Sequence, residues 1–175
     1  MMNATAVSLE EYLSTAYEPD REYVDGLVIE RTGVGTQLHS ILQTIIAAYL
    51  RQTGFEFGFK VLTEGRLFVG FNRHRIPDVM ALAIPFTKGK VVTDVPLLTV
   101  EINSPDDSFE EILEKCFEYE AIGIRNIFVI DPDHQRRYVF AHGNLSAVHT
   151  MEINLPNGEV VPFPVEEMFT EMRKD

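Results

Sequence analysis

Two acids stand where the surrounding pattern leaves little room for charge. Asp78 follows Ile76-Pro77 and leads into a strand-like run marked by Val79, Leu82 and Ile84. Glu101 lies near the end of a second apolar run, Val95, Leu97, Leu98, Val100 and Ile102. An ionised carboxylate inside an apolar strand is costly unless it is paired or bound to a metal. Acids on neighbouring strand ends can share one hard cation, because Mg²⁺ takes one or two protein carboxylates and completes its shell with water and phosphate oxygens. The plainer reading leaves each acid marking a strand terminus that faces water.

Lys115 is the third candidate. The helical pattern around it places Phe109, Ile112, Leu113, Cys116 and Phe117 on the core face. At about 100° per residue, Lys115 falls roughly 60° outside that stripe. Its stem can lie along apolar surface while the amine reaches the sheet end. It can equally form an i,i+4 pair with Glu111 on a solvated face. A basic cluster, Arg66, Arg73, His74 and Arg75, leads into Asp78, and Lys88 and Lys90 follow the same strand. Arg66, Arg73, Arg75 and Lys88 are expected to position phosphates, unless they only protect strand edges.

These residues need elements to hold them. Ser8 and Glu11 spell a capping box for a helix over 8–17. Asp25-Gly26 between two short β-prone runs signals a hairpin. Apolar residues at helical spacing predict a long helix over 36–53, ended by Gly54. Strands are expected at 55–62, where Phe55, Phe57, Phe59 and Val61 alternate, and at 66–70, 75–84, 95–102 and 126–130. Ser108 and Glu111 form a second capping box, opening a helix to Ala121. A further hairpin over 138–153, turning at Gly143-Asn144, and a short helix over 165–172 complete the chain. Gly33-Val34-Gly35 reads as a loop, since it lacks the third glycine and preceding strand of a dinucleotide site. The strand–helix–strand unit over 95–130 predicts an α/β or α+β domain: a mixed sheet flanked by helices, with an N-terminal hairpin and a C-terminal β extension. One domain spanning 1–175 is expected.

The combination of Pro77-Asp78, Glu101-x-x-Ser104-Pro105 and Lys115 within FEEILEKCFEYEAIGIRNIFVIDP resembles the Uma-type family of restriction-endonuclease-like proteins. That bacterial family is a branch of the PD-(D/E)xK nuclease superfamily. The opening SLEEYL, the REYVDGLVIE hairpin, His39, Gly123 and the Asp131-Pro132 ending match it in register. The resemblance implies a restriction-endonuclease-like fold and a metal-dependent endonuclease acting on DNA. It also implies Mg²⁺ or Mn²⁺ held by Asp78, Glu101 and the Ile102 carbonyl. Lys115 takes the place of a lysine that commonly lies two residues after the Glu, where this chain has Asn103. Glu22 and His39 resemble supporting positions near the site, and superfamily nucleases that pair to cut two strands make a homodimer an expectation. A nuclease fold used only for binding, and a hydrolase of another phosphate substrate, are the rival readings.

Composition narrows the field. Twenty-seven acids against fifteen bases give a net charge of −12, which argues against a general nucleic-acid coat. It leaves open an enzyme with a local basic patch or bound cation. The single cysteine, Cys116, rules out an intramolecular disulfide and reads as a buried, reduced thiol. No signal-peptide pattern or membrane-length apolar run is present, so a soluble cytoplasmic protein is expected.

Overall fold

The Asp25-Gly26 hairpin forms as its sequence predicts. In the computed structural model, which describes residues 4–30, 36–104 and 108–174, these two residues have φ of 51° and 90°. Two consecutive positive φ angles suit the twist of a tight hairpin. They join β2 (Glu22–Val24) to β3 (Leu27–Ile29), and β1 (Ala4–Ala6), which sequence did not predict, adds to β3. Between β1 and β2, Ser8 caps the short helix α1 (Leu9–Ser14). Gly33-Val34-Gly35 and Pro105 lie outside the described residues.

The long helix α2 (Gln37–Phe57) starts at Thr36, whose side chain accepts a hydrogen bond from His39 N at 3.2 Å. It does not stop at Gly54. It continues one more turn to Gly58, at φ 72°, so Phe55 and Phe57 are helical and β4 covers only Phe59–Thr63. Their alternation suggested a strand because a short aromatic run carries both periods. Gly54 has a different purpose: a Cβ there would lie 2.4 Å from the Phe59 carbonyl oxygen, a backbone atom that cannot swing aside. Alanine normally favours a helix by about 1 kcal/mol over glycine, but here the clash decides the sign. Gly54→Ala should destabilise by about 1–3 kcal/mol, read as a lower urea midpoint.

The strand expected over 75–84 is broken in two. β5 (Leu67–Gly70) and β6 (Arg73–Arg75) belong to one sheet, and β7 (Val79–Ala83) to another. Pro77 has no N–H for a ladder, so the chain leaves one sheet at Ile76-Pro77 and enters the next at Val79. Asp78 sits at that crossing.

The larger sheet adds β8 (Leu98–Ile102) and, after α3 (Phe109–Ala121), β9 (Asn126–Asp131), β10 (Arg136–Ala141) and β11 (Asn144–Ala147). Its order is β11-β10-β9-β8-β7-β4, with β8 and β9 parallel and every other neighbouring pair antiparallel. The parallel pair follows from α3, since such a connection needs a crossover. The smaller sheet runs β1-β3-β2-β6-β5. The expected strand after β10 ends at Ala147. Residues 151–154 form β12 (Met151–Asn154), paired with β13 (Val160–Phe163) ahead of α4 (Val165–Met172).

Residues alternate across the large sheet. Val79, Val100 and Ile102 join Leu42, Ile46 and Leu50 of α2 and Phe169 of α4 in one core. Met80, Leu82, Ile127 and Val129 pack with Ile112, Cys116 and Tyr119 of α3 in the other. Glu101, between Val100 and Ile102, therefore faces α3. Among the described residues, no helix is long and apolar enough to cross a membrane.

Candidate active site

The helix α3 is rotated from its expected orientation. Phe109 and Phe117 are 62% and 50% exposed, while Ile112, Cys116 and Tyr119 are buried. Lys115 then lies about 40° from Tyr119, on the margin of the true core stripe. Its amine turns inward, 3.3 Å from Glu101 Oε2 and 3.1 Å from Glu22 Oε1. Glu111 closes the capping box, accepting from Ser108 N at 3.3 Å.

Five of the expected residues converge. Asp78 Oδ2 accepts a hydrogen bond from Ile102 N at 2.7 Å, which ties the sheet crossing to the residue beside Glu101. His39 Nε2 lies 3.4 Å from the same oxygen and is buried, not solvent-facing. Glu22 is 4% exposed, although a hairpin acid could have faced water. Its carboxylate accepts from Arg75 at 2.9 Å and from Ile76 N at 3.2 Å.

Two residues not singled out by sequence complete the arrangement. Tyr119 donates its hydroxyl to Glu101 Oε1 at 2.6 Å. Gln43 donates its amide to the Asp78 carbonyl at 3.0 Å, fixing the crossing from α2. The sequence signal for Tyr119 was its place one helical turn after Lys115, together with the need of a buried tyrosine hydroxyl for a partner.

The buried acids differ in protonation. Burial pushes Glu22 toward the neutral form, but Lys115 and Arg75 outweigh it and hold its carboxyl below the usual range. Burial pushes Glu101 up to about 7; Lys115 opposes this and the Asp78 charge adds to it. Glu101 in the folded, metal-free protein thus keeps its proton through a window where the unfolded chain, titrating near 4.5, has lost it. The native state binds more protons there, so stability falls as pH rises from about 4.5 to about 7. Glu22 acts oppositely, and its window lies below 4.5. In EDTA, Glu101→Gln should flatten the decline between pH 5 and 7.5, by on the order of 2–3 kcal/mol in urea unfolding. An unchanged slope would show that another group sets it.

The donor set fits a hard divalent cation. Asp78 and Glu101 offer carboxylate oxygens, burial and then the Asp78 charge favour a proton on Glu101, and the Ile102 backbone is bonded to Asp78. Among the described residues, no cluster of three or more His, Cys, Asp or Glu could hold a metal ion. Two carboxylates with the remaining positions left to water and phosphate suit Mg²⁺ better than an all-protein cage would.

Three members of the expected phosphate-binding cluster are engaged by partners inside the protein. Arg66 bonds Asp20 and the carbonyls of Tyr12 and Thr15, with its guanidinium 4.5 Å above the Tyr12 ring. Arg73 is shared among Asp25, Glu114 and Glu118. Arg75 is clamped by Glu22 at 2.9 Å and Glu118 at 2.6 Å. These guanidiniums brace α1, α3 and the smaller sheet, and of the expected set Lys88 alone is exposed on a loop. Their sequence clustering looked like a patch because β6 places them close together, but internal acids claim their donors.

Three comparisons bear on this arrangement. A family model described as "Uma2: Putative restriction endonuclease" matches residues 9–169. A crystal structure from Anabaena variabilis ATCC 29413, described as a "putative nuclease belonging to DUF820", superposes with a TM-score of 0.77. It shares 20% sequence identity, with 95% of this chain and 99% of that one covered, and establishes the fold. No curated protein matches the sequence.

Proposed function

The chain belongs to the Uma2 family of restriction-endonuclease-like proteins, and from that membership and the site geometry we propose that it is a divalent-metal-dependent DNA endonuclease. Family membership supports a nuclease function in general. The metal, the DNA substrate and the residue roles are our reading, as is a single nuclease domain spanning 1–175. The observation that carries it is the position of Lys115, within 3.3 Å of Glu101 and tied through Glu22 to the chain that delivers Asp78.

Asp78 and Glu101 would hold Mg²⁺ or Mn²⁺, with the Ile102 carbonyl as a further ligand. When bound, the cation would polarise the phosphate and acidify an attacking water. Lys115 supplies a fixed positive charge for the negative charge developing on the phosphate oxygens. Glu22, itself held by Arg75, keeps the lysine amine from swinging into solvent. Tyr119 orients the Glu101 carboxylate, and His39 and Gln43 steady Asp78. Asn103 donates its backbone N–H to Ile130 O at 2.8 Å, so the strand geometry at the usual lysine position is retained while the amine arrives from α3. Two copies acting together would cut both strands.

The test is cleavage of supercoiled plasmid and branched DNA with Mg²⁺ or Mn²⁺. Wild type should nick, and Asp78→Ala should not. Equal nicking by both proteins, or none by wild type under any condition, would remove the nuclease reading.

A further inference from the structure

With Arg66, Arg73 and Arg75 engaged internally, an anionic substrate needs other cations to approach a chain of net charge −12. Arg51 and Lys60 are such cations. Both are exposed, and neither forms an ion pair among the described residues. They flank Phe55, which is 63% exposed, with the Arg51 guanidinium 5.3 Å and the Lys60 ammonium 5.4 Å from its ring centre.

These groups form one end of a longer feature. Gln43, Ala47, Arg51 and Phe55 recur every four residues and so line one side of α2. The edge strand β4 returns beside that row, leaving a trough of about 270 Å³ between them. Ala47 keeps its floor low, while Arg51, Phe55, Lys60 and Thr63 form its walls. At the opposite end, Gln43 holds the Asp78 carbonyl and Thr63 pairs with Val79. The trough therefore runs from an exposed aromatic ring between two cations to Thr63, whose strand partner Val79 follows Asp78 in the chain. From Ala47 to Phe55 the helix rises about 12 Å, which is about three to four nucleotides at the 3.4 Å stacked spacing.

We propose that this trough is the track for a single nucleic-acid strand running from the Asp78–Glu101 site, an inference that rests on the nuclease reading. Phe55 stacks on a base, and Arg51 and Lys60 contact phosphates. The Lys60 stem is flexible, so its amine can leave the ring for a phosphate and free the ring face. A trough of about 270 Å³ has room for a base or two and not for a duplex. The substrate class is accordingly DNA with a single-stranded segment beside the cut, such as a flap or branch. Aromatic stacking tolerates any base, so the track gives polarity and strand selection without sequence preference.

The test is fluorescence anisotropy in EDTA, where no cleavage occurs, using a short labelled oligothymidylate and a duplex of the same length. Wild type should bind the single strand more tightly than the duplex. Phe55→Ala should weaken single-strand binding about tenfold. Lys60→Gln should lower the slope of log affinity against log salt by about 0.7. Arg136→Gln, on β10 across the large sheet, should leave both unchanged. All three positions are exposed, so thermal unfolding should match wild type and separate binding loss from misfolding. Preference for duplex, no single-strand binding by wild type, or wild-type binding by both trough variants would overturn the track. Asp78-dependent nicking is measured separately. Cleavage with unaffected trough variants removes the track alone, and trough-dependent binding without cleavage removes the nuclease reading alone.

Discussion

Lys115→Met should lower single-turnover cleavage by about a hundred- to a thousandfold, the usual effect of losing one preorganised group that meets developing charge. Methionine keeps the stem's packing along α3 and removes only the ammonium. The fold should weaken but persist, because Lys115 is only one of the groups that answer the two buried acids. Glu22 retains Arg75 at 2.9 Å and Ile76 N at 3.2 Å, and Glu101 retains the Tyr119 hydroxyl at 2.6 Å. DNA affinity in EDTA should change by only a few-fold, because a group acting mainly in the transition state contributes little to ground-state binding. A Met variant that cleaves at the wild-type rate would remove Lys115 from the chemistry, whatever its distance from Glu101.

Arg75→Met should be the most destabilising single change at this site, by about 3–5 kcal/mol, because it strands a buried carboxylate. Arg75 is 5% exposed and answers Glu22, which is just as deeply buried, as well as Glu118. Arg73→Met makes the contrast. Its partners Asp25 and Glu114 face solvent, and its third, the more buried Glu118, keeps Arg75, so its loss should cost about 1 kcal/mol or less. Urea unfolding of the two variants at neutral pH decides between a buried brace and a surface ornament. Adding Glu22→Gln to Arg75→Met should recover part of the loss, since the amide needs no counter-ion. A strictly additive double mutant would mean that the two side chains do not depend on each other.

Local chemistry made much of this legible. Ser108 and Glu111 close the predicted capping box on α3, and Asp25-Gly26 turns the predicted hairpin, because both depend on a few adjacent residues. Val165–Met172 is helical over its predicted span. The misreadings occur where two local signals competed. Phe55 and Phe57 fit either period, and only the approach of Phe59 to Gly54 shows why a glycine stands inside the helix. Phe109 and Phe117 looked like core by hydrophobicity, yet the sheet selects the face of α3 that includes Tyr119.

By itself, the sequence determined the four helices to within a few residues, the Asp25-Gly26 hairpin, the strands that carry Glu101 and Val129, and which acids stood out against apolar runs. Those are properties of spacing along the chain, where backbone periodicity and side-chain cost act over a few residues. Tertiary structure decided which charges are available. Lys115 could have paired with Glu111 along its helix, and Glu22 could have faced water. The crossing at Pro77 and the rotation of α3 instead bring Lys115 between Glu22 and Glu101. The same packing ties Arg66, Arg73 and Arg75 into the scaffold and leaves Arg51 and Lys60 outside it. Charge is written in the sequence, but its partner is set by distance, and residues forty or more positions apart acquire a distance only when the chain folds.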